Sequence, residues 1–264
     1  MRRCPVTKAT LPSFFLQRIT LRSHPETGAP WLFPGNLDSK VPNTATDAGD
    51  KTSGAAKDKQ PKSGPSGYIL SRQRLLQELQ QPNSVYSKSY KHLLRMSDHG
   101  HTNLGSVLNN ATWRSDMDLV VLEMMRRRAA EGLAYFARMV ETESRDYIVR
   151  CERWDDVKSH KHKGCLLYLG PPKGTLSEPG LDSVPPRLST MDAGHQLVVH
   201  NLRDLLGEEH VSRLRQGSKL FREGSLFLLA KQATVNLQLL LWKLQGYMGS
   251  QGFKDTEEAK PSPK

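Results

Sequence analysis

Apolar residues recur at helical spacing over two long stretches of the chain, and this recurrence predicts an all-α fold. The first stretch runs from Ser115 to about Trp154. On a helical wheel, Leu119, Leu122, Ala129, Ala130, Leu133, Phe136, Ala137, Val140, Tyr147, Ile148, Cys151 and Trp154 share one side, a stripe ~120° wide. Glu123, Arg127, Arg128, Glu131, Arg138, Glu141, Arg145 and Asp146 take the other. Ser115 is a good N-cap, and Asp116 and Asp118 suit the positive end of a helix dipole. One long amphipathic helix over about 115–154 is expected, with the alternating three- and four-residue steps of a coiled coil or long-helix bundle.

The second stretch, about 225–247, predicts a C-terminal helix capped by Ser225. Leu226, Leu229, Ala230, Ala233, Leu237, Leu240, Leu241, Leu244, Tyr247 and Met248 form one face. Leu228, Val235, Leu239 and Trp242 form a second. A helix apolar on two sides is either central in its bundle or shared with a partner.

Shorter helices complete the expected bundle of about five. One runs from Ser71 to about Gln81 on Leu75, Leu76 and Leu79 and is stopped by Pro82. Another is capped by Ser84 and holds Tyr86, Tyr90, Leu93 and Leu94. A third is capped by Asp192 and closed by Gly207, and a fourth covers 208–216. The helical domain is thus placed at 68–249, interrupted by a Pro- and Gly-rich loop at 164–191 in which Cys165–Leu169 has the character of extended chain.

The flanks read differently. Residues 36–67 are almost wholly Gly, Ser, Thr, Pro, Ala, Asn, Asp and Lys, too poor in apolar area to offset the entropy of ordering, and are expected to form a disordered linker. Residues 250–264 are a polar tail of the same kind, ending in a proline-directed phosphosite pattern at Ser262. Residues 1–35 are expected to be a basic tail with two short apolar anchors, Phe14-Phe15-Leu16 and Pro30-Trp31-Leu32-Phe33-Pro34. Arg2, Arg3, Lys8, Arg18 and Arg22 precede the first acid, Glu26, the composition of a mitochondrial transit peptide, although Pro5 and Pro12 interrupt a helix there.

Charge adds little specificity. The chain has 264 residues and a formal net charge of +11. The excess is spread along it, with acids beside the bases nearly everywhere after Glu26. A positive balance permits an anionic partner, but a phosphate-tracking surface needs clustered cations, so nucleic acid is not the favoured partner. Three cysteines are too few for a disulfide framework, no signal-peptide pattern opens the chain, and no run of ~18 uncharged apolar residues spans a membrane. A reducing intracellular compartment is expected: the mitochondrial matrix on the strength of the first 25 residues, or else the cytosol or nucleus.

Candidate chemistry is sparse. Cys151, His160, His162 and Cys165 are ligands of the right kind for zinc, but their spacing matches no known finger, and lysines flank the histidines. Asp98-His99-Gly100-His101 is equally loose. The Gly170–Thr175 segment lacks the Walker spacing, and Pro171 and Pro172 offer no N–H to a phosphate. No nucleophile elbow or Glu-x-x-His pair occurs, so no catalytic, cofactor or metal residue is assigned. Arg126 falls inside the apolar stripe, which implies either snorkelling or an ion pair with a facing helix or a partner.

The expected function is therefore a non-enzymatic helical protein–protein interaction module, an adaptor or assembly factor. Its contacts would be Trp31, Phe33, Leu228, Val235, Leu239, Trp242 and Arg126, met by a partner protein or a second copy. The alternatives are a mitochondrial matrix factor associated with ribosome, RNA or respiratory-complex assembly, and an enzyme of unrecognised type.

Overall fold

A computed structural model describes residues 1–24, 26–35, 65–87, 89–94, 107, 109–153, 155–170, 188–190 and 196–249. Residues 36–64 of the linker expected over 36–67, the tail at 250–264, Trp154, Asp98–His101 and Pro171–Thr175 lie outside these residues; Ser66 and Gly67 of that linker belong instead to a strand, Ser66–Leu70.

The fold is mixed α/β, which overturns the expected all-α bundle. The described residues form three sheets: a two-stranded pair, a four-stranded sheet and a five-stranded sheet. The first 35 residues, expected as a tail, are built into the fold. Strands β1 (Arg2–Arg3) and β2 (Thr10–Leu11) pair with each other. Strand β3 (Leu16–Ser23) is central in the four-stranded sheet, between β4 (Pro30–Pro34) and β5 (Ser66–Leu70) and antiparallel to both. Strand β6 (Thr112–Trp113) closes the far side, parallel to β4. Leaving out residues 1–30 therefore removes the middle of a sheet.

The largest helix follows. After α1 (Gln73–Glu78), α2 runs over Met117–Glu143. Its buried positions are Met117, Asp118, Val121, Leu122, Met125, Ala129, Ala130, Leu133 and Ala137; Leu122, Ala129, Ala130, Leu133 and Ala137 belong to the predicted stripe, while Met117, Val121 and Met125 lie outside its arc. Leu119, also of that stripe, is 57% exposed. The helix ends well before Trp154, because Ser144 turns left-handed at φ 52°. The chain then enters β7 (Ile148–Cys151). Ile148 and Val149 are β-branched and suit a pleated surface better than a helix; Tyr147, Ile148 and Cys151 share the helical phase of α2 by coincidence.

The five-stranded sheet has the order β7-β11-β8-β10-β9, with β8 Cys165–Tyr168, β9 Leu188–Thr190, β10 Gln196–Asn201 and β11 Leu226–Leu229. The short helix α3 (Asp156–Ser159) precedes β8. Helices α4 (Leu202–Leu206), α5 (Glu208–Gly217) and α6 (Lys219–Glu223) lie between β10 and β11, and α7 (Val235–Met248) ends the described chain. Two further expectations are corrected here. The predicted 192-to-206 helix is β10 followed by α4, and the front of the predicted C-terminal helix is the strand β11.

The reason lies in burial. Every residue of β8 and β11 is buried. A strand covered on both faces carries an unbroken apolar run, which sequence periodicity cannot separate from a buried helix. Phe227, Leu229, Cys165, Leu167 and Ile148 face the main core, shared with α2, α4, α5, α7 and the inner face of the four-stranded sheet. Leu226, Leu228, Cys151, Leu166, Tyr168, Leu197 and Val199 face a second, smaller core that includes Val157 of α3.

Candidate functional site

Helix α7 is fastened along its inner face. Leu237, Leu241, Leu244 and Tyr247 are buried there. Leu237 packs where α2 offers Gly132, at which a β-carbon would sit 3.1 Å from Leu237 Cδ1. The Tyr247 hydroxyl donates to the Asp118 carbonyl of α2 at 2.8 Å. Arg72 donates to the Gly246 carbonyl at the helix C-terminus. Gln238 Nε2 donates to Thr234 Oγ1 at 2.9 Å at the N-terminus. Lys243 Nζ reaches the Leu16 carbonyl at 3.3 Å and lies 5.4 Å from the Phe14 ring. Burial, and behind it the charge of Arg128, pushes the Lys243 ammonium down to about 8.

The outer face has no such attachments. Val235, Leu239 and Trp242 are 42%, 37% and 52% exposed, and at ~100° per residue they share a ~60° arc. Phe14, exposed beside Lys243, is a further apolar side chain in reach of the same helix. From Ser225 to Gly249 the chain has no carboxylate and two lysines, Lys231 and Lys243.

The other expected contact residues are placed elsewhere. Leu228 is 0% exposed in the middle of β11, so it cannot share the outer face of α7. Trp31 and Phe33 lie side by side on β4 in the other sheet, half-buried and with their rings 6.0 Å apart. Among the described residues Arg126 is held by main chain rather than by a carboxylate: its Nε donates to the Leu205 carbonyl at 2.9 Å, and Nη2 approaches that of Asp204 at 3.5 Å. It thereby satisfies the open C-terminal carbonyls of α4. Gly207 ends that helix at φ +79°, a left-handed backbone where a side chain would be strained. Sequence reading missed Phe14 and Lys243 as neighbours of the stripe, since nothing local ties residues so far apart.

The buried titratable groups serve packing. Cys151 and Cys165 pair with opposite ends of β11 and face different cores, so they do not converge with His160 and His162. Burial raises their thiols to about 11 and about 12, respectively, which keeps them protonated and unreactive. Among the described residues, no group of three or more His, Cys, Asp or Glu side chains is gathered to hold a metal ion. No helix among them is long and apolar enough to cross a membrane.

His200 of β10 is fully buried on the helix side of its sheet. Burial holds its imidazole down to about 4, against a weaker opposing contact with Gln245. The unfolded chain takes up this proton below about 6.5 and the folded protein only near 4. Stability is thus fully present above pH 6.5 and is lost as pH falls toward 4, by up to about 3 kcal/mol from this group. Urea titrations at a series of pH values are expected to show that loss in the wild type and a flatter profile in His200→Leu; identical profiles would count against the assignment.

Compared with protein-family models, curated proteins and solved structures, the chain matches none of them. Fold and surface alone define its class: a mixed α/β protein whose last helix turns an apolar stripe outward.

Proposed function

We propose that the protein is a non-enzymatic protein–protein interaction module, an adaptor or assembly factor, whose docking surface is the outer face of α7. One observation carries this reading. Val235, Leu239 and Trp242 are exposed together on a helix whose opposite face is already satisfied by its own chain. Contiguous exposed apolar side chains mark interaction sites, and tryptophan is among the residues that dominate interface energies. The occupant is a partner protein with an apolar surface and an acidic rim. It complements a surface with Lys231 just ahead of the helix and no carboxylate from Ser225 to Gly249.

The experiment compares the wild type with a Leu239→Glu/Trp242→Ala double variant of matched melting temperature. Both are read by proximity labelling in cells and by light scattering on the purified chains. The expected result is a monomer in both cases, with a set of acidic-surfaced neighbours lost in the variant. For a purified partner, the expected loss of affinity is about 30-fold or more. An unchanged neighbour set overturns the proposal. A wild-type dimer that the variant abolishes assigns the stripe to self-association and removes the adaptor reading.

A further inference from the structure

The four-stranded sheet has two unlike faces. Ile19, Leu21, Leu32 and Ile69 point into the main core. Residues directly opposite each other on paired strands share a face, so the register places the outer side chains. Arg22 stands opposite Trp31, Thr20 opposite Phe33 and Arg18 opposite Tyr68. None of Trp31, Phe33 and Tyr68 belongs to the core or packs against it. The outer face therefore carries Trp31 and Phe33 on β4 and Tyr68 on β5, flanking Arg22 and Arg18 of β3, with Thr20 buried at 2% exposure between the two arginines.

Local contacts hold this arrangement in place. Trp31 and Phe33 lie nearly parallel, 27° apart, and His24 supports Trp31 with ring centroids 4.5 Å apart. Arg2 sits over the Tyr68 ring at 5.4 Å, and Arg18 Nε donates to Ser66 Oγ at 2.9 Å. Arg22 is exposed. In residues 1–35 and 65–70 the one carboxylate is Glu26, in the turn between β3 and β4.

We infer that this face is a platform for single-stranded nucleic acid, with bases stacking on the Trp31 and Phe33 rings, and on Tyr68 once Arg2 leaves its ring for a phosphate, while Arg18 and Arg22 meet the backbone. Such surfaces combine a basic track with aromatic rings on which successive bases stack. Each nucleotide supplies a flat base and one anion, which suit rings on β4 and β5 beside the guanidinium groups of Arg22 and Arg18 on β3. An acidic peptide would satisfy the arginines and leave the rings without a flat partner. Duplex DNA keeps its bases stacked within the helix and offers the rings nothing. The cations look dispersed along the chain because strand pairing, not sequence proximity, gathers them.

The full-length protein, titrated into fluorescently labelled 15-nucleotide oligo-U and oligo-dT at 50 mM salt, is expected to bind with a Kd on the order of 10 μM or tighter, weakening at 200 mM salt. Arg22→Ala is expected to weaken binding several-fold and to lower the log–log salt slope by about 0.7. Trp31→Ala is expected to weaken it roughly tenfold. Trp31→Phe retains binding and loses the tryptophan quench, a result that a purely structural role would not produce. Leu239→Glu binds the oligonucleotides like wild type, which separates this site from the α7 surface. A tighter oligo-U complex identifies RNA as the source and equal affinities a shared single-strand site; both support the platform. It is overturned by no binding to either oligonucleotide, by affinities indifferent to Arg22→Ala and Trp31→Ala, or by polyglutamate competing as well as the oligonucleotides.

Discussion

Leu228→Glu is expected to abolish cooperative unfolding, whereas Leu239→Glu melts within about 0.5 kcal/mol of the wild type. Both exchange leucine for a carboxylate, and the sequence places both on one helical face. In the structure Leu228 is 0% exposed in β11, paired with Val149 of β7 on one side and Leu166 of β8 on the other. Its surroundings are Cys151, Leu166, Val199 and Leu226, with no cation in that cluster to receive the charge. An unpaired carboxylate there must either stay ionised at a cost of several kcal/mol or protonate and remain without partners. Domains are stable by only about 5–15 kcal/mol, so the cost is a large share of the total. Leu239 stands at 37% exposed, and its carboxylate replacement remains in water. Circular dichroism melts of the two variants check the contrast; a cooperative Leu228→Glu transition within about 1 kcal/mol of wild type would remove β11 from the centre of its sheet.

Gly67→Ala is expected to destabilise the fold by about 2–4 kcal/mol. A β-carbon at Gly67 would lie 2.0 Å from the Leu93 carbonyl oxygen and 2.8 Å from its carbon. Both are main-chain atoms, so no side-chain rotation relieves the overlap. Gly67 cannot retreat easily, since it pairs with Ile19 of β3, and Leu93 is itself buried in the main core. For a domain of this size the expected drop in melting temperature is roughly 5–15 °C. A change of less than about 0.5 kcal/mol in urea unfolding would mean that the two segments are not in contact.

The candidate site was partly legible in the sequence. Val235, Leu239 and Trp242 fall on the second face of a predicted helix, and that helix exists. Gly207 ends α4 as its conformational freedom suggests, and α5 occupies nearly the expected residues. The inner stripe of α2 was readable from Leu122 to Ala137, though not at Met117, Val121 and Met125. What failed has a single physical origin. Leu226–Leu229, Gln196–Asn201 and Ile148–Cys151 are short and largely apolar, and a run of four to six such residues carries no periodicity of its own. The arginines at 2, 18 and 22 showed the same blindness: along the chain they resemble a targeting segment, while in the fold Arg18 and Arg22 stand opposite rings from two other strands and Arg2 lies over one of them.

A helix closes its hydrogen bonds within four residues, so its existence and much of its buried stripe are written locally, while the ends of α2 and α7 were set by the strands they adjoin. The amino-acid order therefore determined α2, α7 and the apolar residues that α7 turns outward. A strand is completed by segments distant in the chain, and only the tertiary structure decided that Leu226–Leu229 lies between β7 and β8, that Leu228 is inside, and that Trp31, Phe33 and Tyr68 share a face with three guanidinium groups. Backbone N–H and C=O groups must be paired when buried; in a sheet the partner strand, which no local pattern names, supplies them.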